Sequence, residues 1–481
     1  MCQFRRACDP AFPQIRDVHK QPRTLVVQSR FSMNKKLRAI LFLVLLSPCL
    51  HALERQEAGV YHARRVALSK KTNGGVVVLF APVERPDEIF GFHQDSNFYY
   101  LTGWTEPGAA LLIASATEAR NDARGNAPAR PYTEILFLPA RNLQEEKWLG
   151  PKLGPGDQEV TRITGFDKVE PLDKLHDELT ALPESNRGPI YSDLGGYNEE
   201  SASVEPLAWL RRGQSFAGFF GFREVKPLIG QLRTTKDQGE IDLIVKATRA
   251  SMAGHVAALK AIHPGVTERE IQALMQYEYQ RRGCERSAYA PIVGSGFNST
   301  VLHYSEDSGT MRSGDVVVMD VAGEYSMYAS DITRTAPVNG HFTARQREIY
   351  DIVLGAQQAA MQAFKAGVSH ISGTGPDSLN KVARDYIDSH GKDLQGASLG
   401  KYFIHGLGHY VGLDVHDEGD YTMPLDKGSV FTIEPGIYIP EEKIGVRIED
   451  IYYVDQNGSL VQITKDLPHT ADEVEATMKA K

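Results

Sequence analysis

Asp320, Asp331, His409, Glu434 and Glu449 set four carboxylates and one imidazole on or beside apolar runs in the C-terminal half of a 481-residue chain. They fall in three stretches: Asp315–Arg334 (DVVVMDVAGEYSMYASDITR), His405–Asp417 (HGLGHYVGLDVHD) and Val430–Asp450 (VFTIEPGIYIPEEKIGVRIED). Alternate residues of a strand share a face, so Val316, Val318 and Asp320 line up, as do Asp331 with Thr333, Glu434 with Thr432 and Glu449 with Arg447. A carboxylate that ends an apolar strand must be exposed, neutralised or bound. Singly, each has an ordinary explanation: a strand-end Asp is commonly a turn or cap residue, and a lone His is commonly a core histidine. Together, four unneutralised carboxylates would repel one another, and one imidazole with Arg447 cannot offset them. Two divalent cations can. Mostly oxygen donors with one nitrogen suit Mn²⁺ or Zn²⁺ and admit Co²⁺ or Fe²⁺. Two such ions about 3.5–4 Å apart can share a hydroxide and stabilise a tetrahedral intermediate.

The elements that must position these groups are legible in the pattern. Ile241, Ile244, Val245, Thr248, Met252 and Val256 follow helical spacing in a long helix from Glu240. Thr267 with Glu270 forms a capping box opening a helix toward Arg282, and Thr343 with Gln346 opens another to about Ala366. A further helix is expected after Pro376. Strand pairs are expected at Val316–Glu324 with Ser330–Val338, and at Ser429–Ile439 with Val446–Val454. The order helix, helix, strand pair is thus stated twice, which predicts two similar halves with the five residues drawn from both.

The rest of the chain reads as an α/β domain over 53–222, giving an α/β (α+β) protein whose catalytic domain spans 223–481. An early helix covers Val66-Ala67-Leu68. Gly75–Ala81, Phe98–Gly103, Ala109–Ala114 and Thr133–Leu138 read as strands, with polar or Gly/Pro-rich loops at 117–131 and 150–156. No metal-ligand cluster is visible in this half. Residues 1–52 read as a leader: Met33 as the true start, a basic segment at Lys35, Lys36 and Arg38, an apolar run Ala39–Leu46, and a cleavage point after Ala52. That predicts export to a periplasmic or extracellular space, with a ragged cytoplasmic N-terminus as the alternative. The leader holds nine basic and two acidic residues, so the rest carries about −15 of charge, and nucleic acid is not the expected partner. No apolar run is long enough for a membrane span. Cys2, Cys8 and Cys49 lie in the leader; only Cys284 lies in the body, so no intrachain disulfide framework is expected.

The three stretches resemble the pita-bread metallopeptidases, the family of methionine aminopeptidase, Xaa-Pro aminopeptidase and prolidase. The resemblance covers roughly 231–460 and rests on Asp320 and Asp331 in D-x10-D, DITRT at Asp331–Thr335, HGLGH at His405–His409, TIEPG at Thr432–Gly436 and RIED at Arg447–Asp450. It implies that Asp320 chelates one metal, that Asp331 and Glu449 bridge two, that His409 and Glu434 bind the other, and that a bridging hydroxide is the nucleophile. It also implies a substrate-side role for His303, stabilisation of the tetrahedral intermediate and proton transfer for His416, and a place lining the pocket for His405. Arg447 is expected to touch substrate or Glu449.

His93–Leu112 (HQDSNFYYLTGWTEPGAALL) and Glu145–Gly154 (EEKWLGPKLG) resemble the N-terminal domain of Xaa-Pro aminopeptidases, which methionine aminopeptidases lack. Asp417–Lys427 is short and lacks an arginine that some members carry there. The implied reaction is hydrolysis of the N-terminal Xaa-Pro bond of peptides, with two divalent ions, Mn²⁺ first and Zn²⁺ or Co²⁺ next, in a homodimer or homotetramer. A prolidase confined to dipeptides and a non-catalytic peptide-binding protein are the alternatives.

Overall fold

The computed structural model describes residues 53–480 apart from 74, 85–90, 116–119, 123–124, 128–132, 183–187 and 196–220; the leader expected at 1–52 lies outside the described residues. The N-terminal part is built on a six-stranded mixed sheet. Its order is Lys168–Pro171, Glu134–Leu138, Ala110–Ile113, Val76–Phe80, Ile190–Ser192, Phe222–Glu224. The middle pairs are antiparallel and the outer ones parallel. Val76–Leu79 and Ala110–Ile113 are buried throughout, as continuous apolar runs covered on both faces should be. The helix Ala58–Lys71 turns Tyr61, Arg64, Arg65 and Leu68 inward.

One expected strand is a helix. Ser96–Thr102 carries the aromatic run Phe98-Tyr99-Tyr100, whose β-propensity is overridden at both ends. Asp95 accepts a hydrogen bond from the Phe98 N–H, and Gly103 closes the helix in the left-handed conformation at φ 64°. A side chain at Gly103 would also drive into the Tyr61 ring, its Cβ falling 2.5 Å from a ring carbon. Part of the polar stretch expected to be a loop at 117–131 is a short hairpin, Arg120–Asp122 with Gly125–Ala127.

The C-terminal part repeats its order as expected. Helices Gln238–Ala261 and Glu268–Gln280, each opened by a capping box, precede one set of strands. Helices Ala344–Ala363 and Leu379–His390, capped by Thr343 and Ser378, precede the other. The strands depart from expectation in an informative way. Val316–Asp320 stops, and Gly323–Tyr325 continues in a different sheet; its partner resumes only at Thr333–Pro337. In the second half Val430–Ile433 and Gly436–Ile439 are separate strands, as are Ile444–Arg447 and Asp450–Val454. Asp320 ends the first strand, and Asp331, Glu434 and Glu449 lie in the other three interruptions. Each carboxylate therefore stands where its strand leaves one sheet for another.

The backbone groups released at three of these interruptions are capped by helix side chains. His255, on Gln238–Ala261, bonds the Val321 carbonyl at 3.0 Å. Gln357, on Ala344–Ala363, donates to the carbonyls of Ile433 and Ile448 and to Asp450. The halves meet across Thr333 and Glu449: the Glu449 N–H donates to the Thr333 carbonyl at 3.1 Å. Arg334, fully buried, ties the carbonyls of Thr333 and Glu449 to the Asp450 carboxylate. Among the described residues, no helix is long and apolar enough to cross a membrane. Cys284 is a free, buried thiol.

Candidate metal centre

The interruptions bring the carboxylates together over the His405–Asp417 loop. His409 Nε2 lies 3.2 Å from Asp331, 3.5 Å from Glu434 and 3.9 Å from Glu449. The His409 ring is fixed from behind, where Nδ1 faces the Tyr410 carbonyl at 3.0 Å. A carbonyl can only accept, so Nδ1 carries the proton and Nε2 is the atom presented to the acids. Asp331, His409 and Glu449 offer donor atoms within 4.8 Å of one another. Asp331 Oδ1 is buried without any hydrogen-bond partner. Asp320 joins through Arg447, whose guanidinium donates to Asp320 Oδ2 at 2.7 Å, while Tyr289 donates to Asp320 Oδ1 at 2.5 Å.

The electrostatics call for positive charge. Burial, then the charges of the other acids, raise Asp331 and push Glu449 well above the usual carboxylate range. Burial likewise lifts Glu434 to about 7, against the pull of His409. Burial opposes a charged imidazole at His409, yet Asp331 and Glu434 outweigh it and raise its pKa to about 9. A bare Nε2 lone pair facing three carboxylates is unstable unless a proton or a cation stands between them. The orphaned Asp331 oxygen, the oxygen-rich donor set and the fixed imidazole all fit divalent cations.

Other expected site residues surround this cluster. His405 sits with Nδ1 4.0 Å from Glu434, and its Nε2 meets the Tyr438 hydroxyl at 2.9 Å. Partial desolvation and the nearby Arg447 push His405 down to about 4. His416 stacks on His409, ring centroids 4.0 Å apart, and stands exposed at the surface of the site. His303, also exposed, is close enough for its charge to lower the pKa of both His405 and His416. Arg447 lies on Asp320 and Tyr438, and reaches Glu449 only through Thr333: its Nε donates to the Thr333 hydroxyl, which donates to Glu449 Oε2 at 2.7 Å.

Sequence reasoning missed Tyr289, Thr333 and Tyr438. Thr333 was open to detection, because it shares a strand face with Asp331. Tyr289 and Tyr438 carried no such signal. A second acid-and-imidazole group, His62, Glu134 and Asp167, lies in the N-terminal part, where no cluster was expected. There Glu134 is already paired with buried Arg65 through both carboxylate oxygens.

Family models match two parts of the chain: metallopeptidase family M24 over residues 242–456, and the aminopeptidase P N-terminal domain over residues 61–191. The chain is 32% identical to an Xaa-Pro aminopeptidase of Escherichia coli (strain K12) over 453 residues, covering 89% of this chain and 98% of that protein. It is 31% identical to Xaa-Pro aminopeptidase 3 of Mus musculus, covering 89% and 86%. Among solved structures it is similar to aminopeptidase P from E. coli with the inhibitor Pro-Leu, at a TM-score of 0.74 and 30% identity, covering 89% of this chain and 99% of that one.

Proposed function

The chain belongs to the Xaa-Pro aminopeptidase family of metallopeptidases and is a hydrolase; from that premise we propose how its residues divide the work on peptides with proline at position two. The observation that carries the reading is the convergence of four carboxylates and His409 with too little protein charge to offset them. Asp320 would hold one divalent ion, Asp331 and Glu449 would lie between two, and His409 and Glu434 would hold the second. Bound there, the ions would supply Lewis acidity toward the scissile carbonyl and lower the pKa of the attacking water. Mn²⁺ is the proposed metal, with Zn²⁺ and Co²⁺ compatible with the same donors.

The side chains do the remainder. Arg447 and Tyr289 fix both oxygens of Asp320, so that its carboxylate cannot rotate away. Thr333 does the same for Glu449 Oε2. His416 stands over His409, placed to give a hydrogen bond to the oxygen of the tetrahedral adduct and to carry a proton to the leaving amine. The leaving proline nitrogen belongs to a tertiary amide with no N–H, so recognition must come from the ring and the free amino terminus. His303 and His405 would line that space, and Val301 and Ile404, close to them in sequence, are exposed apolar residues suited to the ring.

The prolidase reading is not favoured, since the N-terminal match is to the aminopeptidase P domain and the relatives named above are aminopeptidases. Two further features complete the proposal. Leu143, Trp148 and Leu149 are exposed on the N-terminal part, 85% for Trp148, which supports a homodimer or homotetramer formed through that face. The basic-then-apolar run of residues 33–52 supports export. Metal-stripped protein given Mn²⁺ and offered Ala-Pro and Ala-Pro-Ala-Ala tests the activity. Release of alanine from the longer peptide is expected, with an Asp331→Asn variant silent. Cleavage of the dipeptide alone would move the assignment to prolidase.

A further inference from the structure

His416 is an exposed residue between two anchored ones. Asp417, on one side, is buried and receives both Arg233 and Lys236, the latter at 2.8 Å. Asp414, on the other, is half-exposed, yet both its oxygens are engaged: Arg233 donates to Oδ2 at 2.6 Å and the Ser96 hydroxyl to Oδ1 at 2.7 Å. Arg233 itself is buried, and its other terminal nitrogen donates to Asn97 Oδ1 at 2.8 Å. Ser96 and Asn97 open the helix Ser96–Thr102 of the N-terminal part. The loop is also closed on itself, with the Asp417 N–H on the Tyr410 carbonyl and the Gly412 N–H on the Asp414 carbonyl. Gly412 has no room for a side chain, since a Cβ there would lie 2.1 Å from the Asp417 carboxylate.

The Asp414 half of this arrangement is poorly explained by stability. Arg233 is already held by buried Asp417, and the Asp414 carboxylate is half open to water, which screens a second pair there. What two donors from opposite sides do supply is a fixed direction for the backbone that carries His416. We propose that Ser96, Arg233 and Asp414 form a positioning clamp that holds the His416 imidazole over the metal-site histidine, so that the N-terminal domain sets the turnover rate of a site to which none of its described residues contributes a ligand. This rests on the role proposed above for His416.

The test uses the full chain loaded with Mn²⁺ and Ala-Pro-Ala-Ala as substrate. Ser96→Ala is expected to lower kcat about 3–10-fold and Asp414→Ala about 10–100-fold, each with KM within about twofold, as a small misplacement of a reacting group does. Arg233→Lys keeps the charge but loses the fork, and should fall between wild type and Asp414→Ala. Each substitution is then repeated in a His416→Ala background. If the clamp acts through His416, neither Ser96→Ala nor Asp414→Ala lowers kcat further by more than about twofold there, which is the coupling a shared role requires. Equal fractional losses in both backgrounds, or unchanged kcat in both single variants, would overturn the clamp. A His416→Ala variant with wild-type kcat would instead remove the role of His416 itself, and the clamp with it. Thermal unfolding of Ser96→Ala and Asp414→Ala guards against simple loss of fold; Arg233→Ala is avoided because it would remove one of the two cations on buried Asp417 and leave a cavity in the interior.

Discussion

Glu134 and Glu449 are both buried carboxylates near a histidine, and the molecule treats them in opposite ways. Glu134 is held by Arg65 through two hydrogen bonds, with His62 on one of the same oxygens at 2.8 Å. Its guanidinium is completed by the carbonyls of Leu101, Thr164 and Gly165, so charge and donors are satisfied within the protein. Glu449 shares its surroundings with Asp331, Glu434 and Asp320, and burial with those charges raises its pKa well above normal. Grouping by distance alone makes the two clusters look alike. What separates them is the nearest cation: one acid has its own arginine, and the other shares one guanidinium with three more acids. A paired acid stabilises a fold, whereas an acid left short of positive charge is poised to bind it.

The widest contrast should come from neutralising each acid in turn. Glu449→Gln is expected to cut kcat/KM by about 10³-fold or more while leaving the metal-free protein as stable as wild type, or more so, because it removes a mutually repelling charge. Glu134→Gln should keep kcat/KM within about threefold and cost about 3 kcal/mol of stability, because it strips the partner from a buried guanidinium. Steady-state kinetics and denaturant unfolding of both variants decide it. A Glu449→Gln protein that is active, or a Glu134→Gln protein that is inactive but stable, would collapse the distinction.

Metal linkage sharpens the same point. Mn²⁺ at about 100 times its dissociation constant should stabilise wild type by about 2.7 kcal/mol through mass action. Asp331→Asn should lose most of that gain, and His62→Ala should keep all of it. Thermal unfolding with and without metal reads both. A gain that His62→Ala abolishes would make the N-terminal group a second metal site.

How much of this was legible beforehand follows from the length scale of each interaction. The five acid and imidazole residues were visible because each ends or adjoins an apolar run, and the capping boxes at Thr267 and Thr343 were visible because a cap spans three residues. The interruptions at Val321, Pro435 and Ile448 were not visible. They arise where two sheets pull on one strand, and are tolerated only because His255 and Gln357, on distant helices, cap the freed carbonyls. Arg65 and Glu134 are 69 residues apart, so nothing local betrayed that this acid was neutralised. The Phe98 run failed for the converse reason: its aromatic residues say strand, while the Asp95 cap and the left-handed Gly103 that make it a helix are local features the strand reading did not weigh.

Asp417 adds a pH test of the paired class. Burial alone would raise its pKa, but Lys236 and Arg233 outweigh that and hold it below the usual range. A depressed carboxylate contributes stability that is present above its unfolded pKa of about 3.9 and is lost as pH falls through the folded value. Wild type should therefore lose stability more steeply than Asp417→Asn between about pH 4 and pH 2, with the variant less stable at neutral pH. Parallel slopes would mean that the carboxylate is no better placed folded than unfolded.

The smallest effect belongs to the outer member of the N-terminal group. His62 is 43% exposed, and its partner Glu134 is already bonded twice by Arg65. Its contribution should be that of a surface ion pair, about 1 kcal/mol or less, and should fade at high salt. His409 occupies the corresponding place in the other cluster, beside acids that have no arginine of their own except at Asp320. His62→Ala should therefore change unfolding slightly and turnover not at all, while His409→Ala should abolish turnover and metal-linked stabilisation together. If both histidines prove equally dispensable for turnover, the charge deficit at Glu449 is not what makes that cluster a site.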